Sequence, residues 1–176
     1  IVSINFRGDS MSRRIVISLS VIVLLVAVIA IKNFSFKNTY KLKPIDTSAD
    51  TIIVKGADYS LELKKQDNKW IILPKGYVAD SDIIADFEKK IAHLDIVELV
   101  STKGFFEKYD LSDGVGLEVT LMAKDKVLRK VSIGKGGLTN NHVYVRVDNG
   151  QEVFLASGIT QAEFKQDIDN LRDKKI

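Results

Sequence analysis

Seventeen successive positions, Ile15 to Ile31, form one apolar run in which only Ser18 and Ser20 carry polar side chains. At ~1.5 Å per residue this run makes a helix of about 26 Å, near the ~30 Å hydrocarbon core of a bilayer. Arg13 and Arg14 precede it and Lys32 follows, flanks whose charges reach the headgroups. The pattern predicts a transmembrane helix over 15–31. It is longer than the ~7–15 apolar residues of a cleavable leader. An uncleaved signal anchor is therefore expected, although Val28-Ile29-Ala30 has the form of a cleavage site.

Beyond the run the pattern changes period. Residues 32–51 mix lysines, Phe34, Phe36, Tyr40 and Pro44 without a sustained repeat and read as a basic stem. From Ile52 apolar residues recur every second position: a strand at Ile52–Gly56, a second carrying Tyr59, Leu61 and Leu63, and a third containing Trp70, Ile71, Ile72 and Leu73 after an Asp67-Asn68 turn. Pro74 and Gly76 end this meander. Asp80-Ser81-Asp82 then supplies capping side chains for a helix whose Ile83, Ile84, Phe87, Ile91 and Leu94 share one face. A strand at Ile96–Val100 follows, then one loose helical turn at Lys103–Tyr109. Four more strands start near Leu117, Val127, His142 and Val153, and Thr160 with Glu163 opens a last helix presenting Phe164, Ile168 and Leu171. Strands and helices do not alternate as βαβ units, so the expected class is α+β, a mostly antiparallel twisted sheet with helices on one face.

The divisions follow: a tail over 1–14, the anchor over 15–31, the stem over 32–51 and a single domain over 52–176. Residues 1–10 are read as upstream read-in, because Met11-Ser12-Arg13-Arg14 has the form of a natural start.

Charge refines this picture. The chain has 26 Lys and Arg against 23 Asp and Glu, formally +3. The excess sits at the start of the stem, where the stretch from Lys32 to Lys43 holds four lysines and no acid. From Pro44 onward 19 basic residues face 22 acidic ones. A basic stem suits anionic headgroups, and nothing in the domain has the basic, aromatic-interleaved stripe of a nucleic-acid interface, so no nucleic-acid partner is expected. Arg13 and Arg14 on a short tail predict an N-inside orientation with everything after Ile31 exported; the alternative, set by Lys32, Lys37, Lys41 and Lys43 on the other flank, is a cytoplasmic domain on an inverted anchor. Zero cysteines exclude disulfide and thiol chemistry.

Candidate chemistry is sparse. His142, Tyr144 and Arg146 share one face of a strand and form a possible ligand face able to take an anion; the alternative is a polar outer face opposite Val143, Val145 and Val147. His93 falls on the polar side of its helix. Asp80, Asp82 and Asp86 lie within two helical turns and could hold a hard cation, but capping and the helix dipole account for the first two. Gly134-Lys135-Gly136-Gly137 lacks both the spacing and the following helix of a phosphate loop and is expected to be a hairpin loop. No catalytic motif is present, and no enzyme activity, cofactor or metal is expected.

Several spaced pieces together carry a resemblance: Trp70 followed by Pro74, Ala79-Asp80 opening a helix, Val97-Glu98-Leu99-Val100-Ser101, Tyr109-Asp110-Leu111, Ile133-Gly134-Lys135, Tyr144-Val145-Arg146, Val153-Phe154 and Leu171-Arg172-Asp173-Lys174. They resemble the bacterial domain-of-unknown-function family DUF4340 over most of residues 52–175. Members look like single-span envelope proteins, many encoded beside ABC transporters of the gliding-motility type, and bring no established catalytic residues. Many carry two copies of the unit; this chain has one. The resemblance implies an extracytoplasmic accessory or interaction protein, with ABC transporter subunits or other envelope proteins as partners and membrane lipid contacted through the anchor. The alternative is a binding module for an envelope lipid, glycan or peptide.

Overall fold

The computed structural model describes residues 17–28, 40–139 and 141–174. The tail over 1–14, the ends of the expected anchor at 15–16 and 29–31, and the stem over 32–39 lie outside the described residues. The chain divides into two units, Ile1–Asn38 and Thr39–Ile176.

In the first unit residues 17–28 are helical (α1), with every side chain exposed. Ser20 satisfies its hydroxyl inside the helix by donating to the Ile17 carbonyl at 2.8 Å, so that group asks nothing of its surroundings. No helix among the described residues is long and apolar enough to cross a membrane.

In the second unit nine strands form one sheet: β1 (Thr51–Lys55), β2 (Ser60–Gln66), β3 (Lys69–Leu73), β4 (Tyr77–Val78), β5 (Asp95–Ser101), β6 (Leu117–Ala123), β7 (Lys126–Gly136), β8 (His142–Val147) and β9 (Val153–Ser157). Their order is β4-β3-β2-β1-β6-β7-β8-β9-β5, and every neighbouring pair is antiparallel. The fold is α+β. The β2–β3 and β6–β7 hairpins turn on two residues that both have positive φ, Asp67-Asn68 and Lys124-Asp125, and the longer β8–β9 connection has the same conformation at Asp148-Asn149. This mirror-image turn matches the right-handed strand twist and fixes the register of the strands it joins.

The chain builds the sheet outward from β1 to the β4 edge, then crosses its inner face as α2 (Ser81–Ala92) to reach the opposite edge, β5. Asp80 caps α2, its Oδ1 accepting from the Asp82 and Ile83 amides at 2.9 and 3.4 Å. Ile84, Phe87 and Ile91 are buried. They meet inner-face side chains that alternation places together, among them Ile52, Val54, Leu63, Ile72, Leu121 and Val131, all fully buried. After β5 a second connection carries the 3-10 turn η1 (Phe106–Tyr109) and leads to β6, which inserts beside β1 at the centre.

Four features differ from the expectations. A two-residue strand, β4, folds back onto β3 after the Pro74 break. The terminal helix is broken into α3 (Gln161–Phe164) and α4 (Ile168–Leu171), because Lys165 at φ −91°, ψ 67° leaves the helical region. Phe164 and Leu171 are still buried, and Phe164 meets Phe87 at 4.9 Å between ring centroids, so the apolar face survives the break. The glycine run is mostly strand rather than loop, since β7 extends to Gly136. Residues 40–50, expected in the stem, pack on the domain: Ala49 is buried, Leu42 and Ile45 lie against the core, and Tyr40 meets Phe154 at 5.6 Å.

Candidate functional site

Strand β8 reads His-Val-Tyr-Val-Arg-Val, and its pleat sends Val143, Val145 and Val147 into the core while His142, Tyr144 and Arg146 share the outer face. The structure therefore brings the three predicted residues onto one face. It also shows what two of them touch. The connection through η1 crosses this face, and its aromatic rings lie on the β8 side chains: Tyr109 meets Tyr144 at 4.8 Å, and Phe106 lies 4.1 Å from the Arg146 guanidinium. Arg146 further donates from Nε to the Gly150 carbonyl (2.8 Å) and from Nη2 to the Asn149 carbonyl (3.1 Å), with Asp113 at 3.7 Å. Its donors are engaged in tying the β8–β9 turn to the connection. An anion would have to displace those bonds, so Arg146 acts as a clamp.

The crossing depends on glycine. A Cβ on Gly134 would overlap the Tyr109 carbonyl oxygen, and one on Gly116 would stand 2.7 Å from the Asp110 carbonyl oxygen. Gln161 completes the site from the other side by donating from Nε2 to the carbonyls of Ile133 and Gly134 at 2.8 and 2.9 Å. Phe105 and Asp110, at φ 59° and 56°, bracket η1 in the left-handed region, which a bulky residue enters only under strain.

Beside the crossing lies an open cleft of about 380 Å³, formed by Glu98 and Val100 of β5, Tyr144, Leu155, His142 and Leu138. His142 sits at its rim with Nδ1 against the Thr139 hydroxyl. The floor is apolar and the one carboxylate is Glu98. This arrangement presents a hydrogen-bonding rim and an acid to whatever enters. Pattern reading located His142 and Tyr144 but missed Glu98, which lies on the edge strand β5; only the strand order brings it near Tyr144, across Leu155 of β9.

The other candidates lie apart from this cleft. His93 is the C-cap of α2, its amide donating to the Lys89 carbonyl at 2.9 Å. Asp80 is engaged in capping and Asp86 pairs with Lys90 at 2.8 Å, a hydrogen bond that holds the Lys90 ammonium above its ordinary range. Among the described residues no three His, Cys, Asp or Glu side chains converge as a metal site. The deepest charge, Arg129, is 2 % exposed; it donates to the Ala92 carbonyl at 3.1 Å and to the Lys43 carbonyl, and burial pushes its pKa down against the opposing charge of Asp148.

A family model described as a domain of unknown function, DUF4340, matches residues 70–176. No curated protein and no solved structure matches the chain.

Proposed function

The chain belongs to the DUF4340 family, and from that premise we propose that it is a membrane-anchored extracytoplasmic accessory protein without catalytic activity, whose α+β domain contacts a transporter of the ABC type or another envelope component. The observation that carries the reading is the apolar run Ile15–Ile31, of which the described part is a helix with apolar side chains exposed on every side. A helix apolar all round needs apolar surroundings, and lipid supplies them. The domain supports the non-catalytic half of the reading. Its conspicuous ionisable groups are engaged: Arg129 and Arg146 on backbone carbonyls, Asp80 on a helix N-terminus, Lys90 between Asp86 and Glu163. The transporter as partner class comes from the family resemblance.

Alkaline phosphatase fused after Ile176 should be active, and a fluorescent protein that folds only in the cytoplasm should be dark at the same position. The reverse pattern, or release of the chain from membranes by alkaline carbonate, sinks the reading. Purification from detergent should bring transporter subunits with the chain. The cleft beside His142 favours a second reading, a binding module for an envelope lipid, glycan or peptide. A mass adduct on the detergent-purified chain without protein partners would select it.

A further inference from the structure

The two edges of the sheet are treated differently. At one, β4 is two residues long and its flank is covered by the C-terminal segment: Ala79 bridges to Arg172, the Asp80 amide donates to the Leu171 carbonyl at 2.8 Å, and the Asp173 amide donates to the Val78 carbonyl at 2.9 Å. At the other, the seven residues of β5 pair with β9 on one side only, and no described strand lies beyond them. An uncovered edge invites pairing, and proteins usually blunt it. Here two bulges, at Ile96/Glu98 and Leu99/Ser101, interrupt the strand. They prevent a long strand from adding along it and leave a short ledge from Val97 to Leu99.

The side chains at this ledge are chemically biased. Val97 is 46 % exposed, and Leu138, on the loop overhanging the adjoining cleft, is wholly exposed. Glu98 has its carboxylate in solvent with no ion pair among the described residues, next to a cleft floored by Val100, Leu155 and Tyr144. Asp95 is the other charge on the strand, and its carboxylate accepts from the Ser157 hydroxyl at 2.6 Å. A second copy of the chain is a poor occupant, because antiparallel self-pairing centred on the Val97–Leu99 ledge sets Glu98 against itself, and like charges directly opposite are destabilising. A lysine or arginine suits the place: its aliphatic stem covers the apolar floor while its head meets Glu98.

We propose that the β5 ledge and the cleft beside it dock a short, extended, basic segment of a partner protein, held by a few backbone hydrogen bonds and selected by a cation opposite Glu98. The proposal takes its biological meaning from the interaction reading above, but its test does not depend on membrane attachment. Full chain in detergent micelles is mixed with acetyl-Thr-Val-Lys-Val-Thr-amide or with the same peptide carrying Glu in place of Lys, and amide hydrogen exchange is followed. The lysine peptide should slow exchange across Val97–Val100 severalfold, and the glutamate peptide should not. Glu98→Lys, a change at an exposed position, should reverse that preference, and Leu138→Ser should weaken the protection. Equal protection by both peptides, protection only elsewhere, or none at the peptide's solubility limit overturns the proposal. Fusions reporting a cytoplasmic domain together with a lysine-selective β5 would remove the anchor reading and leave the dock.

Discussion

At the scale of single residues the domain concentrates its energy in a few side chains. Trp70 is 6 % exposed within the cluster that contains Phe87 and Ile91. Removing a large buried aromatic costs ~3–5 kcal/mol, against total stabilities of ~5–15 kcal/mol. Trp70→Ala should therefore lower the melting temperature of the domain markedly or abolish its folding; wild-type stability with red-shifted wild-type tryptophan emission is the contrary result. Arg129 works differently, because it bonds two carbonyls from separate segments. Arg129→Met keeps much of the volume but frees the Lys43 carbonyl, so the 40–45 segment should detach locally, and trypsin should cut after Lys41 faster than in wild type. The exposed carboxylates give the acid response. Asp50 is held below the ordinary carboxylate range first by the Lys124 amide and then by the Thr51 hydroxyl, and Asp58 by the hydrogen bond and charge of Lys165. A folded-state pKa lower than the unfolded one, about 3.9, makes a contribution that is complete above that value and disappears as pH falls through the folded pKa. Asp50→Asn with Asp58→Asn should thus lower the melting temperature at neutral pH, and the gap to wild type should close as the pH falls toward about 2.

At the scale of elements the period of the sequence carried most of the information. Alternation gave eight of the nine strands, and the i, i+3, i+4 spacing gave α2 with its cap. β4 was invisible because two residues have no period. The terminal helix was read as continuous because Phe164, Ile168 and Leu171 keep helical spacing across the break at Lys165, where the Gln166 carbonyl is instead taken by the Tyr59 hydroxyl at 2.8 Å. The glycine run illustrates a different limit. Gly134 is required by the approach of Tyr109 from a connection whose path depends on the whole strand order. For the same reason alternation put His142, Tyr144 and Arg146 on one strand face, while the engagement of Tyr144 and Arg146 by η1 was not legible. Gly134→Ala should displace the connection, exposing Tyr144 and loosening Arg146. Hydrogen exchange across Phe106–Leu111 should then rise well above wild type while the β1–β3 amides stay protected, and uniform protection in both regions would show that the crossing adapts without strain.

At the scale of the whole molecule the division of labour between stem and domain is what the structure redraws. Composition assigned residues 32–51 to a stem, because lysines and aromatics without period offer no sign of where packing begins. The physical boundary is set by contacts the pattern could not show. Tyr40 stacks on Phe154, Leu42 and Ile45 lie against the core, and the Ala49 amide donates to Glu88 Oε1 at 2.7 Å, joining this segment to α2. Each half-buried aliphatic or aromatic side chain of this kind contributes on the order of 1 kcal/mol through the apolar area it removes from water. The unit Thr39–Ile176 should therefore fold alone and unfold in one cooperative step, as expected for a single domain of this size. A fragment beginning at Ala49 keeps every strand and helix of the sheet domain but loses Tyr40, Leu42 and Ile45 and uncovers Phe154 and the Arg129 guanidinium. Chemical denaturation of the two fragments should show the shorter one less stable by roughly 2–4 kcal/mol, from the lost burial and the lost Arg129–Lys43 hydrogen bond. Equal midpoints for the two would return residues 40–48 to the stem and leave the domain to begin where the strands do.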